Sequence, residues 1–82
     1  MAAKQKKVTI YTTSWCTWCQ RTKEFFKEHN IKYTEKNVEK DVNSAEEMIE
    51  KSGQRGVPVT DVDGEIIIGF DEPKLRKALN IK

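Results

Sequence analysis

Between Val57 and Phe70 the chain reads VPVTDVDGEIIIGF, with Asp63-Gly64 set between two β-rich runs. Asp-Gly between two such runs is a strong signal for a two-residue hairpin loop. The C-terminal half is therefore committed to an antiparallel pair of strands. The N-terminal half obeys a different pattern. VTIYTT (Val8 to Thr13) is short, β-branched and aromatic, which reads as a buried strand. From Cys16 to about His29 the period becomes helical, with Cys19, Thr22, Phe25, Phe26 and His29 on one face. Asn30 supplies a stop, since asparagine accepts the left-handed conformation. IKYTEKNV (Ile31 to Val38) alternates with period two and reads as a second strand. Two strands joined through a helix pair in parallel, so a parallel unit precedes an antiparallel one.

Two more helices complete the order. Ser44 and Glu47 have the S-x-x-E spacing of a capping box, opening a helix that turns Ala45, Met48 and Ile49 inward and stops at Gly53. Asp71, Glu72 and Pro73 open a last helix with Leu75, Ala78 and Leu79 on its apolar face. The sum is α/β: one mixed four-stranded sheet flanked by three helices, in the order β-α-β-α-β-β-α. At 82 residues this makes a single domain, 1–82, with a modest core. Residues 1–6 form its expected flexible basic tail.

Composition bears on partners. Fifteen basic against 13 acidic residues leave a net charge of +2, too even a balance to favour nucleic acid, and Lys4, Lys6 and Lys7 read as solvated. No apolar run approaches the ~20 residues of a membrane span, and MAAKQKK lacks the apolar stretch of a signal peptide. The expected location is the cytoplasm, where a cysteine pair is more often catalytic or metal-binding than structural.

That pair, Cys16 and Cys19, stands at the handover from first strand to first helix, and the chain has no other cysteine. The mouth of a helix offers unpaired N–H groups and the positive end of its dipole. Both favour a thiolate, which makes Cys16 the nucleophile. Cys19, nearly one turn further in, is placed to resolve the mixed disulfide that Cys16 forms. Two other readings compete. Cysteines can serve simply as core residues, although packing does not require two of them at such a corner. A structural zinc site needs four ligands, whereas His29, the chain's one histidine, falls at the far end of the same helix.

Three stretches tip the balance. YTTSWCTWC, GQRGVPV and IGFDEP, in this order and spacing, resemble the glutaredoxin family of the thioredoxin fold, over nearly the whole chain from Val8 to Leu79. The resemblance is nearest to the small bacterial glutaredoxin-like proteins. It implies a thiol–disulfide oxidoreductase that acts on protein or glutathione mixed disulfides, with glutathione as co-substrate and no tightly bound cofactor. It further implies a cis Pro58 facing the cysteines, leaving the Val57 backbone to pair with a peptide or glutathione; by itself the proline would read as the opening of an edge strand. Val57, Pro58, Gly69, Phe70 and Asp71 then line the substrate groove, with Trp18 as an aromatic wall. Arg55 either attracts a glutathione carboxylate or is simply solvated. Asp71 has two compatible roles, as partner of the glutathione ammonium and as N-cap of the last helix. Trp15 is expected to pack beside the Cys16 thiol and shield it.

The departures concern the electron source. Thr13 stands where glutaredoxins usually have lysine, Thr17-Trp18 replaces Pro-Tyr, and the glutathione signature is reduced to Gly69, Phe70, Asp71. The Gly-Phe pair is similar to glutaredoxin-like donors of ribonucleotide reductase, which draw electrons from thioredoxin reductase. Tryptophan before the first cysteine with no proline after it also resembles glutaredoxins that hold a [2Fe–2S] cluster between two subunits. The expected partners are glutathione or thioredoxin reductase, and disulfide-bearing proteins. A monomer is expected, without nucleic acid or membrane.

Overall fold

The computed structural model describes residues 6–81, so the expected tail lies, apart from Lys6, outside the described residues. The elements are β1 (Val8–Thr12), α1 (Thr17–Glu28), β2 (Thr34–Asn37), α2 (Val42–Ser52), β3 (Val59–Val62), β4 (Glu65–Ile68) and α3 (Glu72–Leu79). Their order is the expected one, and the fold is thioredoxin-like. The sheet runs β2-β1-β3-β4. Here β1 pairs in parallel with β2 and antiparallel with β3, which pairs antiparallel with β4. The hairpin turn forms as Asp63-Gly64 dictates, with φ of 49° and 95°. Lys7 is tied to this turn: its N–H donates to the Asp63 carboxylate at 2.9 Å, and its carbonyl accepts the Asp63 N–H at 2.9 Å.

Strand alternation sorts side chains to two faces. Val8 and Ile10 of β1 join Val62, Ile67, Phe25, Phe26, Leu75 and Ala78 in the larger core, beneath α1 and α3. Tyr11, Met48 and Val59 form the smaller core beneath α2. Because β1 is central and buried along its whole length, the residues that follow it emerge from the middle of the sheet. That is where the cysteines begin.

Three local expectations are corrected. The second strand is shorter than 31–38. Asn30 takes φ 56°, its N–H donates to the Lys27 carbonyl and the Ile31 N–H donates to the Phe26 carbonyl. Residues 31–33 are thus spent finishing the helix and packing Ile31 and Tyr33 on the core. The capping box does not form either. Asp41 caps α2 instead, accepting the Asn43 N–H at 3.1 Å and the Ser44 hydroxyl at 2.8 Å. An earlier start adds a turn of helix, buries Ser44 and frees Glu47 for contacts with the sheet. In that register Met48 faces inward, Ala45 is half-buried and Ile49 lies on the rim, 37% exposed.

Candidate active site

The chain leaves β1 at Thr12 and enters α1 at Thr17, and Cys16 is the N-cap. Its backbone is extended (φ −99°, ψ 111°), and its Sγ accepts the Cys19 N–H at 3.0 Å. A sulfur here fills the place usually taken by a serine or aspartate oxygen. Cys16 is partly exposed; Cys19 is buried, and both carry free thiols. Burial pushes the Cys19 thiol up to about 12, and its hydrogen bond with Cys16 pushes the same way. The Thr13 N–H and the charge of Lys23 oppose them. The two sulfurs are therefore chemically unlike: one accessible at the helix mouth, the other enclosed and held as a thiol at neutral pH.

Two loops from the C-terminal half lie at the same end of the sheet as Trp18. The Val57–Pro58 peptide is cis. Gly69, at φ 76°, donates its N–H to the Pro58 carbonyl at 2.8 Å, so these two loops are joined directly. Phe70 follows and stacks on Trp18, with centroids 6.1 Å apart and planes 19° apart. That stack connects the first turn of α1 to the β4–α3 loop. The edge of Phe25 supports Phe70 from the core side at 5.9 Å, and the Arg21 guanidinium lies 5.1 Å from its centroid.

Asp71 is the N-cap of α3. One carboxylate oxygen accepts the Lys74 N–H at 3.3 Å, and the other lies 3.9 Å from the Lys74 ammonium. Arg55 is exposed, and no hydrogen bond or ion pair joins its side chain to the site among the described residues. Trp15 does not shield the thiol. It is 91% exposed, because it sits in the turn before an extended N-cap and its ring projects from the end of the helix. It borders a shallow depression of about 280 Å³ with Ser14, Cys16, Thr17 and Gln20.

The structure therefore places Cys16, Cys19 and Trp18 at the start of α1, with Phe70 stacked on Trp18 and the neighbouring Gly69 bonded to Pro58. Arg21 and Lys23 escaped the sequence reading. Their signal was present, since Arg21 is three residues after Trp18 and Lys23 four after Cys19, both same-face spacings on a helix.

A glutaredoxin family model matches residues 8–67. The chain belongs to the glutaredoxin family. Its relatives include an uncharacterised glutaredoxin-like 8.6 kDa protein in the rubredoxin operon of Clostridium pasteurianum. That protein is 43% identical over 88% of this chain and 96% of its own length. The glutaredoxin-like protein NrdH of Lactococcus lactis (strain MG1363) is 33% identical over 85% of this chain and 96% of its own. Among solved structures, a mutant of the thioredoxin-like protein BC3987 superposes with a TM-score of 0.88 at 34% identity, covering 94% of this chain and 99% of that one. With its Cys-x-x-Cys pair, this glutaredoxin-family chain is a thiol–disulfide oxidoreductase. The family match ends at residue 67, just before Gly69-Phe70-Asp71, the stretch where the chain departs from the glutathione signature. Among the described residues no helix is long and apolar enough to cross a membrane.

Proposed function

We propose that the chain reduces disulfides by a two-step dithiol route in which Cys16 attacks and Cys19 resolves. The observation that carries this is the asymmetry of the pair: Cys16 caps α1 and is partly exposed, while Cys19 is enclosed and held as a thiol. Cys16 thiolate attacks one sulfur of the substrate disulfide, forming a mixed disulfide and expelling the first thiol. Cys19 then gives up its proton and attacks Cys16 Sγ, closing the Cys16–Cys19 disulfide and expelling the second thiol. Two electrons pass from the dithiol to the substrate. Substrate lies between the Trp18–Phe70 stack and the cis-proline loop, where Val57 offers backbone hydrogen bonds and Gly69 leaves space. The setting is a reducing compartment such as the cytoplasm, where the pair returns to the dithiol.

Glutathione is the proposed reductant, with Asp71 receiving its ammonium and Arg55 a carboxylate. A second reading, reduction by thioredoxin reductase, has its own support. Both Asp71 oxygens already face Lys74, and one relative bears the NrdH name. A coupled assay comparing glutathione with its reductase against thioredoxin reductase separates the two. Cys16→Ser abolishes turnover with either. Cys19→Ser loses reduction of protein disulfides but keeps that of glutathione mixed disulfides, where free glutathione resolves. Asp71→Asn preserves the cap and removes a charge-assisted bond of about 1.5–3 kcal/mol, raising the glutathione KM by about one to two decades. An unchanged KM with intact stability overturns the glutathione role and favours thioredoxin reductase. Faster alkylation of Cys19 than of Cys16 overturns the order of attack.

A further inference from the structure

The two-step route leaves one demand unmet. Cys19 must become a thiolate inside the protein, yet burial holds it as a thiol. In the mixed disulfide Cys16 no longer presents a free sulfur to it, so part of that resistance disappears. Two influences favouring the anion remain, the Thr13 N–H and the charge of Lys23.

Lys23 is held more firmly than a surface lysine. It follows Cys19 by four residues, one turn along the same side of α1. Its ammonium donates to Glu35 Oε2 of β2 at 3.0 Å, and the same oxygen accepts the hydroxyl of the fully buried Thr12 at 2.7 Å. Its side chain is 18% exposed, against 36% for Lys36 and 38% for Lys51, which also form ion pairs. Thr12 adjoins Thr13, whose backbone favours the Cys19 anion. The end of β1 thus secures both groups that favour a Cys19 anion.

Glu35 is an anchor in this arrangement, not a base. The Thr12 hydroxyl, working against burial and aided by Lys23, holds its carboxyl below the usual range, so it stays ionised at neutral pH. Lys27, one turn beyond Lys23, acts on Glu35 in the same sense. The charged or titratable groups acting on Cys19 are Cys16 and Lys23 from its own end of α1, and Glu35 bears on it through Lys23.

We propose that Lys23, anchored by Glu35 and Thr12, is a positioning residue for the resolving step: its ammonium stabilises the Cys19 thiolate as that forms in the mixed disulfide. The proton leaves Cys19 for solvent, Cys19 Sγ bonds Cys16 Sγ, the bond from Cys16 to the substrate sulfur breaks, and the departing thiolate takes up a proton. An opposite charge nearby favours the ionised form. This deepens the dithiol reading and rests on it.

Single-turnover kinetics of the full chain with a fluorogenic peptide disulfide resolve mixed-disulfide formation from its resolution between pH 6 and 10. Lys23→Gln leaves the first phase within about twofold of wild type. It slows the second about three- to tenfold near pH 7, with the midpoint of the pH profile moved upward and the gap closing at high pH. Lys23→Arg restores the rate to within about threefold. Lys23→Met, which keeps the stem and removes the charge, gives the same slowing of the second phase and serves as the test if Lys23→Gln folds poorly. Superimposed second-phase pH profiles for wild type and Lys23→Gln overturn the proposal, as does an equal fall in both phases. Cys19→Ser separates the two levels of argument. If it resolves as fast as wild type, the dithiol reading itself fails; if it stalls while Lys23→Gln is normal, only the role of Lys23 fails.

Discussion

On the face beneath α1 and α3, eight buried side chains between Val8 and Ala78 close the core, none of them ionisable. On the face beneath α2, Tyr11, Met48 and Val59 make up the buried cluster, and long polar side chains cover the rest. Lys36 and Glu47 pair at 2.8 Å, Lys51 and Asp61 at 2.7 Å, and the Tyr11 hydroxyl donates to Glu47 while accepting from Lys51. The difference follows from coverage. Two helices roof one side of a four-stranded sheet, whereas one helix cannot roof the other. What α2 leaves open is closed by charge pairs that keep contact with water. Packing on the two-helix side also encloses Cys19 and makes it unlike Cys16, whereas the charge pairs beside α2 are expected to make that side the more responsive to pH and salt.

The largest test of this contrast is a pair of truncations. Phe26→Ala removes a ring at 0% exposure from the larger core and is expected to cost about 3–5 kcal/mol. Met48→Ala, beside a rim that can relax, belongs near the low end for its class, about 2 kcal/mol. Urea unfolding measures both, and equal losses would break the comparison.

The acid limb of stability gives a smaller effect. Glu47 is held below 4.5 by Lys36 and then Tyr11, and Asp61 below 3.8 by Lys51 and the Gly64 N–H, which outweigh its burial. Carboxyls depressed in the folded state contribute stability that is present above their unfolded values and lost as pH falls through their folded ones. Unfolding free energy should therefore fall below about pH 4. Glu47→Gln with Asp61→Asn should flatten that decline, and 1 M salt should weaken it. Glu35 is depressed too, on the other side of the sheet. If Glu35→Gln flattens the limb more than the double variant does, the polar face is not the pH-sensitive one.

Tyr11→Phe is the mildest change. It leaves the Lys36–Glu47 and Lys51–Asp61 pairs in place, so the expected loss at neutral pH is about 1 kcal/mol. Its signature lies in alkali. Burial first, then the bond to Glu47, raises the phenol above 10.0. The folded state then keeps a proton that the unfolded chain releases, and stability falls as pH rises above 10. A calorimetric series from pH 9 to 11 should show part of that fall missing in Tyr11→Phe. An unchanged alkaline slope would remove Tyr11 from the network.

Reading the sequence located every element, and the successes share a local cause. Asp63-Gly64, Asn30 and Gly53 adopt positive φ where short-range chemistry permits it. The step from Cys16 to Cys19 needs only the geometry of one helical turn. The errors arose where two local options were nearly equal and a distant contact chose between them. Ser44 and Asp41 can each cap a helix; Asp41 has the place, and in that register Glu47 meets Tyr11 and Lys36, on β1 and β2. Residues 31–33 alternate like a strand, yet Ile31 bonds back to the end of α1 and Tyr33 packs on Phe26.

For the site, the sequence by itself placed the cysteine pair at the mouth of the helix and indicated which of the two thiols stands outermost, because both depend on neighbours within one turn. Tertiary structure alone decided what surrounds them. Trp18 and Phe70 are 52 positions apart and stack where the chain leaves β4, next to the bond from Gly69 to Pro58. Lys23 is fixed by a glutamate 12 residues away on another strand. Trp15, beside Cys16 in the chain, points into solvent. Proximity along a chain is set by covalent bonds and helix pitch, whereas burial and charge pairing depend on which surfaces the finished sheet brings face to face.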